Sequence, residues 1–454
     1  MFEKIFKLKE NGTNVRTEIM AGITTFMTMA YILAVNPSIL SSTGMDSTAV
    51  LLATCIASGI GCACMGFMAN LPFALSAGMG LNAFFAYTVV DNYGYSWQVA
   101  LLAVFIEGIV FIILSLTNVR EAIFNAIPAQ LKKAVSVGIG IYIAFIGLQN
   151  CGICTNSDRT LVAMTSFTEN FSTAGISALL AVIGVFLTAI LYIKNVKGSI
   201  LIGILGTWVL GMICQLIGLY VPDAEAGSYT LFPSMHMTDF SKLGETFGQC
   251  FKADLGSVGI FNFIVVIFSF LFVDLFDTLG VLIGVSSKAG MLDEEGRLPN
   301  IKPALLADAA ATTAGAVLGT STTTTFVESS AGVAAGGRTG LSAISTGVLF
   351  LISMFFAPIF TSVPSFATAP ALIMVGFLMI TSITDISFAD EDYTSAIPAY
   401  LCIISMPLFY SISEGISIGV ISYVVINLIC GKSKEIKPLM YVLAVLFVLK
   451  YIFL

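Results

Sequence analysis

Five carboxylates lie inside long apolar runs of this chain: Glu107, Asp274, Asp277, Asp308 and Glu328. Placing a charged carboxylate near the centre of a bilayer costs about 2.5–3.5 kcal/mol or more, so acids in such runs point to function. No Lys or Arg stands mid-run to offset them. Their charge must be met by a proton, a bound cation, or N–H donors from a ligand or the protein. Asp274 and Asp277 sit in Phe272-Val-Asp-Leu-Phe-Asp-Thr-Leu-Gly280. A spacing of three puts both on one helix face, and two carboxylates that close favour binding of a proton. Glu328 follows the hydroxyl-rich run Thr320 to Thr325. Structural roles compete at three positions. Asp274 could serve as a helix–helix hydrogen bond, Asp308 sits near a run's start and could bond only backbone, and Glu107 stands alone on its run. An acid-lined site repels a sulfate-like anion and suits a cation or a neutral molecule rich in N–H donors.

Other chemistries have less support. His236 is the sole histidine, which argues against a His-based metal site or catalytic dyad; no metal and no cofactor is expected. A net charge of -7 leaves no basic face for nucleic acid. Gly415-Ile-Ser-Ile-Gly419 fits the nucleophile-elbow pattern, but it lies in an apolar run with no His at hand. Gly431-Lys-Ser resembles the end of a P-loop, yet Ile426 stands where Gly is required. A membrane-embedded hydrolase is the alternative from another class, and a passive channel for a small polar solute is a third reading. Cys151 and Cys154 form a C-x-x-C in a loop; with no neighbouring ligands they are read as plain thiols in preference to a disulfide. Most other Cys sit in apolar runs as small hydrophobes.

The elements that must position the acids are apolar almost throughout. Charged residues make up 10% of the 454, against about 25% in a soluble globular protein. That is too few to wet a surface of this size. Runs of about 20 apolar residues span a bilayer as helix, and fourteen are found: 17–40, 49–69, 73–90, 97–117, 133–150, 174–193, 198–220, 258–285, 303–319, 320–337, 340–360, 365–384, 394–410 and 412–430. The first reads as a retained span and not as a cleaved signal. A further apolar stretch, 438–454, reads as a last helix on the bundle or at the interface. With the N-terminus inside, sixteen of the twenty Lys and Arg fall in inside loops. Only Arg159, Lys242 and Lys252 fall outside, and Lys450 lies in the final stretch. This is the asymmetry that orients membrane proteins. The polar segment 221–257 divides the spans seven and seven, and an odd number inverts the second half, a common transporter plan.

The third span of each half is abnormal. One reads Pro72-Phe-Ala-Leu-Ser-Ala-Gly-Met-Gly-Leu-Asn82, the other Gly319-Thr-Ser-Thr-Thr-Thr-Thr-Phe-Val-Glu328. The β-branched hydroxyl run suits extended chain, and Gly78 and Gly80 break the other. Each is expected to be a short strand followed by a half-helix, with Asn82 and Glu328 near the half-helix starts. Extended backbone at membrane depth is tolerated only where it is buried in protein or lines a cavity, so matched breaks mark a midplane binding site. Small residues that merely allow tight helix packing are the competing explanation.

These motifs carry a resemblance over nearly the whole chain. Glu18-Ile-Met-Ala-Gly-Ile-Thr-Thr-Phe-Met-Thr-Met-Ala-Tyr-Ile-Leu33, Ala77-Gly-Met-Gly-Leu-Asn-Ala-Phe-Phe-Ala-Tyr87, Phe276-Asp-Thr-Leu-Gly280, Leu305-Leu-Ala-Asp308 and above all the long segment from Gly319 to Gly340 resemble the adenine/guanine/hypoxanthine permeases. These belong to the nucleobase–cation symporter and nucleobase–ascorbate transporter superfamily. The resemblance implies an all-α membrane protein of fourteen spans in a 7+7 inverted repeat, with short strands in spans 3 and 10. It implies a core domain from 17–117 and 258–360 and a gate domain from 131–220 and 365–454. The implied function is import of a purine base (hypoxanthine, guanine or adenine) by proton symport, with the core moving as an elevator. The implied protein is a homodimer of the cell membrane with both termini cytoplasmic, and not an enzyme. The resemblance further implies a substrate site of Glu328, Asp277, Asn82, Thr24, Val327 and Ser329, with Asp277, Asp274 and Glu328 handling the proton. Thr28 and Tyr31 are placed along the same pocket, and Phe84 and Phe85 offer aromatic surface to the base or simply pack.

Overall fold

Helix starts are written into the local sequence. Asn14, Asp46, Ser96 and Ser411 each accept a hydrogen bond from a backbone N–H three residues on, at 3.1, 2.9, 3.4 and 3.3 Å. Such caps satisfy donors that the first helical turn leaves open. The computed structural model describes residues 2–117, 126–157, 160–168, 170–222, 229–233, 237–256, 258–288, 290–291, 298–388 and 393–453. Arg120, Arg159, His236 and Arg297, which entered the sequence reading, lie outside these residues.

Among the described residues, 11 helices are long and apolar enough to cross a membrane. They match eleven of the fourteen expected runs. The other three runs differ for local reasons. Residues 73–90 and 320–337 are broken by strands, and the third is the short helix Tyr393–Leu408, whose Pro398 and Pro407 lie within it. The first span is two helices, Val15–Met29 and Ile32–Ser41, meeting at Ala30 and Tyr31.

The two interrupted segments meet each other. Strand β1 is Leu75–Ala77; β2 (Cys154–Ser157) and β3 (Leu161–Met164) form a separate hairpin; β4 is Thr323–Thr325. β1 and β4 pair antiparallel, with Ser76 opposite Thr324. Gly78 N–H donates to the Thr322 carbonyl and Phe326 N–H to the Ala74 carbonyl, both at 3.0 Å, extending the ladder. All six strand residues are buried. Each strand therefore supplies the other's backbone partners where no water can, which is the condition for non-helical chain at this depth. Short helices follow both strands, Met79–Ala83 after β1 and Ser329–Ala334 after β4.

Helices pack around this pair in two sets. Ile301–Leu318 packs on Ser47–Cys64 and Trp97–Leu116, and Gly340–Ser353 on Val15–Met29 and Ser47–Cys64. Elsewhere Ser365–Ile380 packs on Ala129–Asn150 and Ile176–Ile193, and Tyr393–Leu408 on Ala129–Asn150 and Ile412–Ile429. Helix Ile260–Lys288 touches β4, both short helices and members of each set. Residues Pro438–Phe453 are helical and lie against Ile412–Ile429. Cys151 and Cys154 are free thiols.

Candidate functional site

Strand period explains how the threonine run meets the acids. Thr322 and Thr324 are two residues apart and so project to the same face. The Thr322 hydroxyl donates to Oε2 of Glu107 at 2.8 Å, and that of Thr324 to Oδ2 of Asp277 at 3.2 Å. Thr323 binds away from that row: its carbonyl accepts from the Thr312 hydroxyl at 2.9 Å, and its N–H donates to the same oxygen at 3.2 Å. Glu107, read from sequence as standing alone on its run, is thus tied to the residue just before β4.

Glu328 stands just before the helix that follows β4, makes no side-chain bond to its first turn, and is 8% exposed. The Tyr31 hydroxyl, at the break of the first span, donates to its Oε1 at 2.6 Å. The Thr28 hydroxyl bonds within its own helix and also lies 3.5 Å from the Glu328 carbonyl. Val327, next to Glu328, is 38% exposed. Asn82 lies fully buried on the helix after β1, and its Oδ1 accepts from the Ser321 hydroxyl. Its amide nitrogen has no hydrogen-bond partner among the described residues. Gly78 makes the close approach possible. A Cβ there would sit 2.8 Å from the Thr324 hydroxyl and 3.3 Å from Asp277 Oδ2.

The remaining expected residues are placed less directly. Thr24 is 6% exposed, and its hydroxyl turns back to the Met20 carbonyl at 2.9 Å. Ser329 is fully buried; its hydroxyl oxygen accepts from the Ala74 N–H at 3.0 Å and so holds the approach to β1. Asp274 and Asp277 share a helix face, yet they find different hydroxyls. Thr278 lies 2.8 Å from Asp274 Oδ1 and 3.0 Å from Asp308 Oδ1, joining two helices, while Asp277 reaches β4. Asp308, expected near a span's start with backbone bonds, is in this side-chain cluster. Phe84 and Phe85 are fully buried and pack edge-on to Phe270 at 4.8 and 6.4 Å, so they are core. Among the described residues no three His, Cys, Asp or Glu converge to hold a metal.

Two acids were missed. Glu18 is fully buried and accepts from the N–H groups of Arg338 and Thr339 at 2.8 and 3.3 Å. Its signal was its position at the very edge of an apolar run. Glu414, near the start of Ile412–Ile429, pairs with Lys450 at 2.5 Å. A cavity of about 600 Å³ lined by Asn150, Tyr220, Tyr229 and Phe366 lies elsewhere and shares no residue with the acids.

Together these contacts put Glu328, Asp277 and Asn82 around one strand pair, on surfaces rich in acceptors. That arrangement suits a small planar solute with several N–H groups. The Permease family (Xan_ur_permease) matches residues 16–418. The chain is similar to the guanine/hypoxanthine permease PbuG of Bacillus subtilis, at 46% identity over 99% of each chain. It is similar to the adenine permease AdeP of Escherichia coli, at 40% identity over 100% of this chain and 96% of the other. The fold is similar to the transmembrane domain of the cyanobacterial bicarbonate transporter BicA, with a TM-score of 0.64 at 14% identity, covering 90% of this chain and 97% of that one.

Proposed function

The chain belongs to the Permease family and is a multi-pass membrane transporter, not an enzyme; on that premise we propose that it imports a purine nucleobase together with a proton. The buried Glu328 beside the exposed Val327, in a chain 46% and 40% identical to guanine/hypoxanthine and adenine permeases, carries the reading. Guanine presents its ring N1–H beside its exocyclic amino group, a pair that one carboxylate can accept, and hypoxanthine presents the same N1–H. Glu328 takes the N–H edge of the base. The free amide of Asn82 donates to a ring nitrogen or carbonyl, and Asp277 binds the base or the proton. Asp274 joins Asp277 and Glu328 in proton handling, Thr24 and Val327 line the site, and Ser329 borders it with its hydroxyl turned to the Ala74 N–H.

Fourteen membrane segments in two inverted halves organise the carrier. Residues 17–117 and 258–360 form a core, and 131–220 and 365–454 a gate. The two packing sets described above support this division. The core slides as an elevator against the gate, carrying the β1–β4 pair and its acids across. The N-terminus and the Lys432–Lys437 turn face the cytoplasm, and the protein works as a homodimer in the cell membrane.

Cells lacking their own purine permeases test the reading. Given this protein, they should accumulate labelled hypoxanthine, guanine or adenine, and a protonophore should collapse the accumulation. Glu328→Gln should abolish uptake while the protein still inserts. No uptake of these bases, nor of xanthine and uracil, would refute the reading. Sodium dependence would replace the coupling ion.

A further inference from the structure

The helix Pro438–Phe453 falls within the gate of that scheme but is given no task there, and it carries a cation to an acid inside the bundle. Lys450 is 4% exposed, with its Nζ 2.5 Å from Glu414 Oε1 and 3.0 Å from Ser413 Oγ. A lysine at a helix end usually snorkels to the interface; this one turns inward.

The contacts also say which way the helix runs. At one end of Ile412–Ile429, Asn427 donates to the Thr394 carbonyl at 3.0 Å and Lys432 to the Thr394 hydroxyl at 3.1 Å. This is the end of the cationic turn Lys432, Lys434 and Lys437. At the other end, the Tyr410 carbonyl accepts from Thr88 at 3.3 Å and from Tyr142 at 3.4 Å. Pro438 starts at the cationic end, and Lys450 has arrived at Glu414, four residues from Tyr410. Twelve residues of helix advance about 18 Å, so the helix traverses most of the neighbouring span. Its outward flank is apolar: Val442, Val445, Leu446 and Ile452 are exposed, as a lipid-facing surface requires. Its inward flank carries Phe447, 1% exposed, against Phe268 and Phe272 with ring centroids 5.5 Å away in each case. Those rings belong to the helix of Asp277. The Ser413 hydroxyl that meets Lys450 also meets Ser269 of that helix at 2.9 Å.

We propose that residues 438–453 cross the membrane once more, as a fifteenth segment outside the two inverted halves that ends on the outer face and not on the cytoplasmic side the resemblance implies, and that Lys450 is a positioning residue whose pairing with Glu414 holds this helix against the segment bearing Asp277. The charged pair fixes depth and rotation of an otherwise featureless apolar helix, as buried polar groups can fix register. The orientation and the uptake readout rest on the transport reading above. The crossing itself does not.

Two arms test it on the full chain. In the first, alkaline phosphatase (active only outside) and β-galactosidase (active only inside) are fused after Leu454, and separately after Lys437. Phosphatase activity after Leu454, with galactosidase activity after Lys437, is expected. Galactosidase activity at both sites would overturn the crossing. In the second, Lys450→Glu should cut base uptake by about tenfold or more, because it faces Glu414 with a like charge. The reversed pair, Glu414→Lys with Lys450→Glu, should recover most of the loss. A reversed pair no better than Lys450→Glu alone would overturn the positioning role. Failure of the wild type to take up any base, with the fusions reporting as expected, would sink the transport reading and leave the crossing standing.

Discussion

The Tyr31 hydroxyl donates to Oε1 of Glu328 at 2.6 Å, so one oxygen of this carboxylate is committed before any ligand arrives. The bond joins the break of the first span to the residue just before the helix after β4. It restrains the carboxylate and, under the proposed function, leaves Oε2 to accept from the base. Tyr31→Phe keeps the buried ring and removes only the donor. A hydrogen bond to a charged group contributes about 1.5–3 kcal/mol, and about 1.4 kcal/mol is a factor of ten in an equilibrium constant. The KM for the base should therefore rise by about tenfold or more while membrane insertion is unchanged. An unchanged KM in Tyr31→Phe would show that Glu328 is oriented by something else.

Asp277 is set apart from Asp274 by its partner, the Thr324 hydroxyl on β4. If Asp277 carries the coupled proton, Asp277→Asn mimics the protonated side chain permanently. The variant should still exchange labelled for unlabelled base across the membrane. It should fail to accumulate base against a gradient, and its uptake should lose its dependence on external pH. In the wild type the sign is fixed: uptake falls as external pH rises, because fewer protons are available to load the carrier. Retained pH dependence and accumulation in Asp277→Asn would move the proton to another acid.

Much of this architecture is legible in the chain, and the illegible part has a common cause. The Thr320–Thr325 run marks one broken segment because β-branched residues act on their own backbone, and Gly78 marks the other by the room it leaves beside Thr324. Spacing likewise puts Asp274 and Asp277 on one helix face. What spacing cannot supply is the neighbour across the gap. Asp274 meets the Thr278 hydroxyl, which also reaches Asp308, while Asp277 meets Thr324, and that divergence depends on how three elements pack. Glu107 looked solitary for the same reason, its Thr322 partner being 215 residues away. Phe84 and Phe85 look alike as ligand platforms or as core until Phe270 packs against them. Lys450 was unassigned because an apolar tail declares its length and not the surface it will meet.

Gly78 sits where β1 ends and its φ of -71° is open to any residue, so its role is space and not backbone freedom. An alanine methyl would lie 2.8 Å from the Thr324 hydroxyl and 3.3 Å from Asp277 Oδ2. Overpacking of this kind costs about 1–3 kcal/mol, and here it acts directly on the Thr324–Asp277 bond. Gly78→Ala should lower uptake about tenfold or more, with expression and insertion close to normal. Gly80, whose added Cβ would meet only the Ile139 side chain at 3.1 Å and that of Ile412 at 3.5 Å, should tolerate alanine better. Equal loss in both variants would remove the special status of the Asp277 contact.

Ser329 separates a binding role from a supporting one. It neighbours Glu328 in sequence and is expected at the substrate site. Its hydroxyl oxygen instead accepts from the Ala74 N–H at 3.0 Å in a fully buried position. Ser329→Ala leaves that N–H without its acceptor, a loss of about 1–3 kcal/mol for a buried donor. The penalty falls on the junction of β1 with the helix after β4, and so on folded-state stability. The thermal midpoint of the purified protein should fall, and the amount of functional carrier per cell with it. The KM of the carrier that remains should stay within about twofold of wild type, because a change that touches stability alone removes molecules without altering those that fold. A rise in KM comparable to that of Tyr31→Phe, with an unchanged midpoint, would place the Ser329 hydroxyl on the base and not on β1.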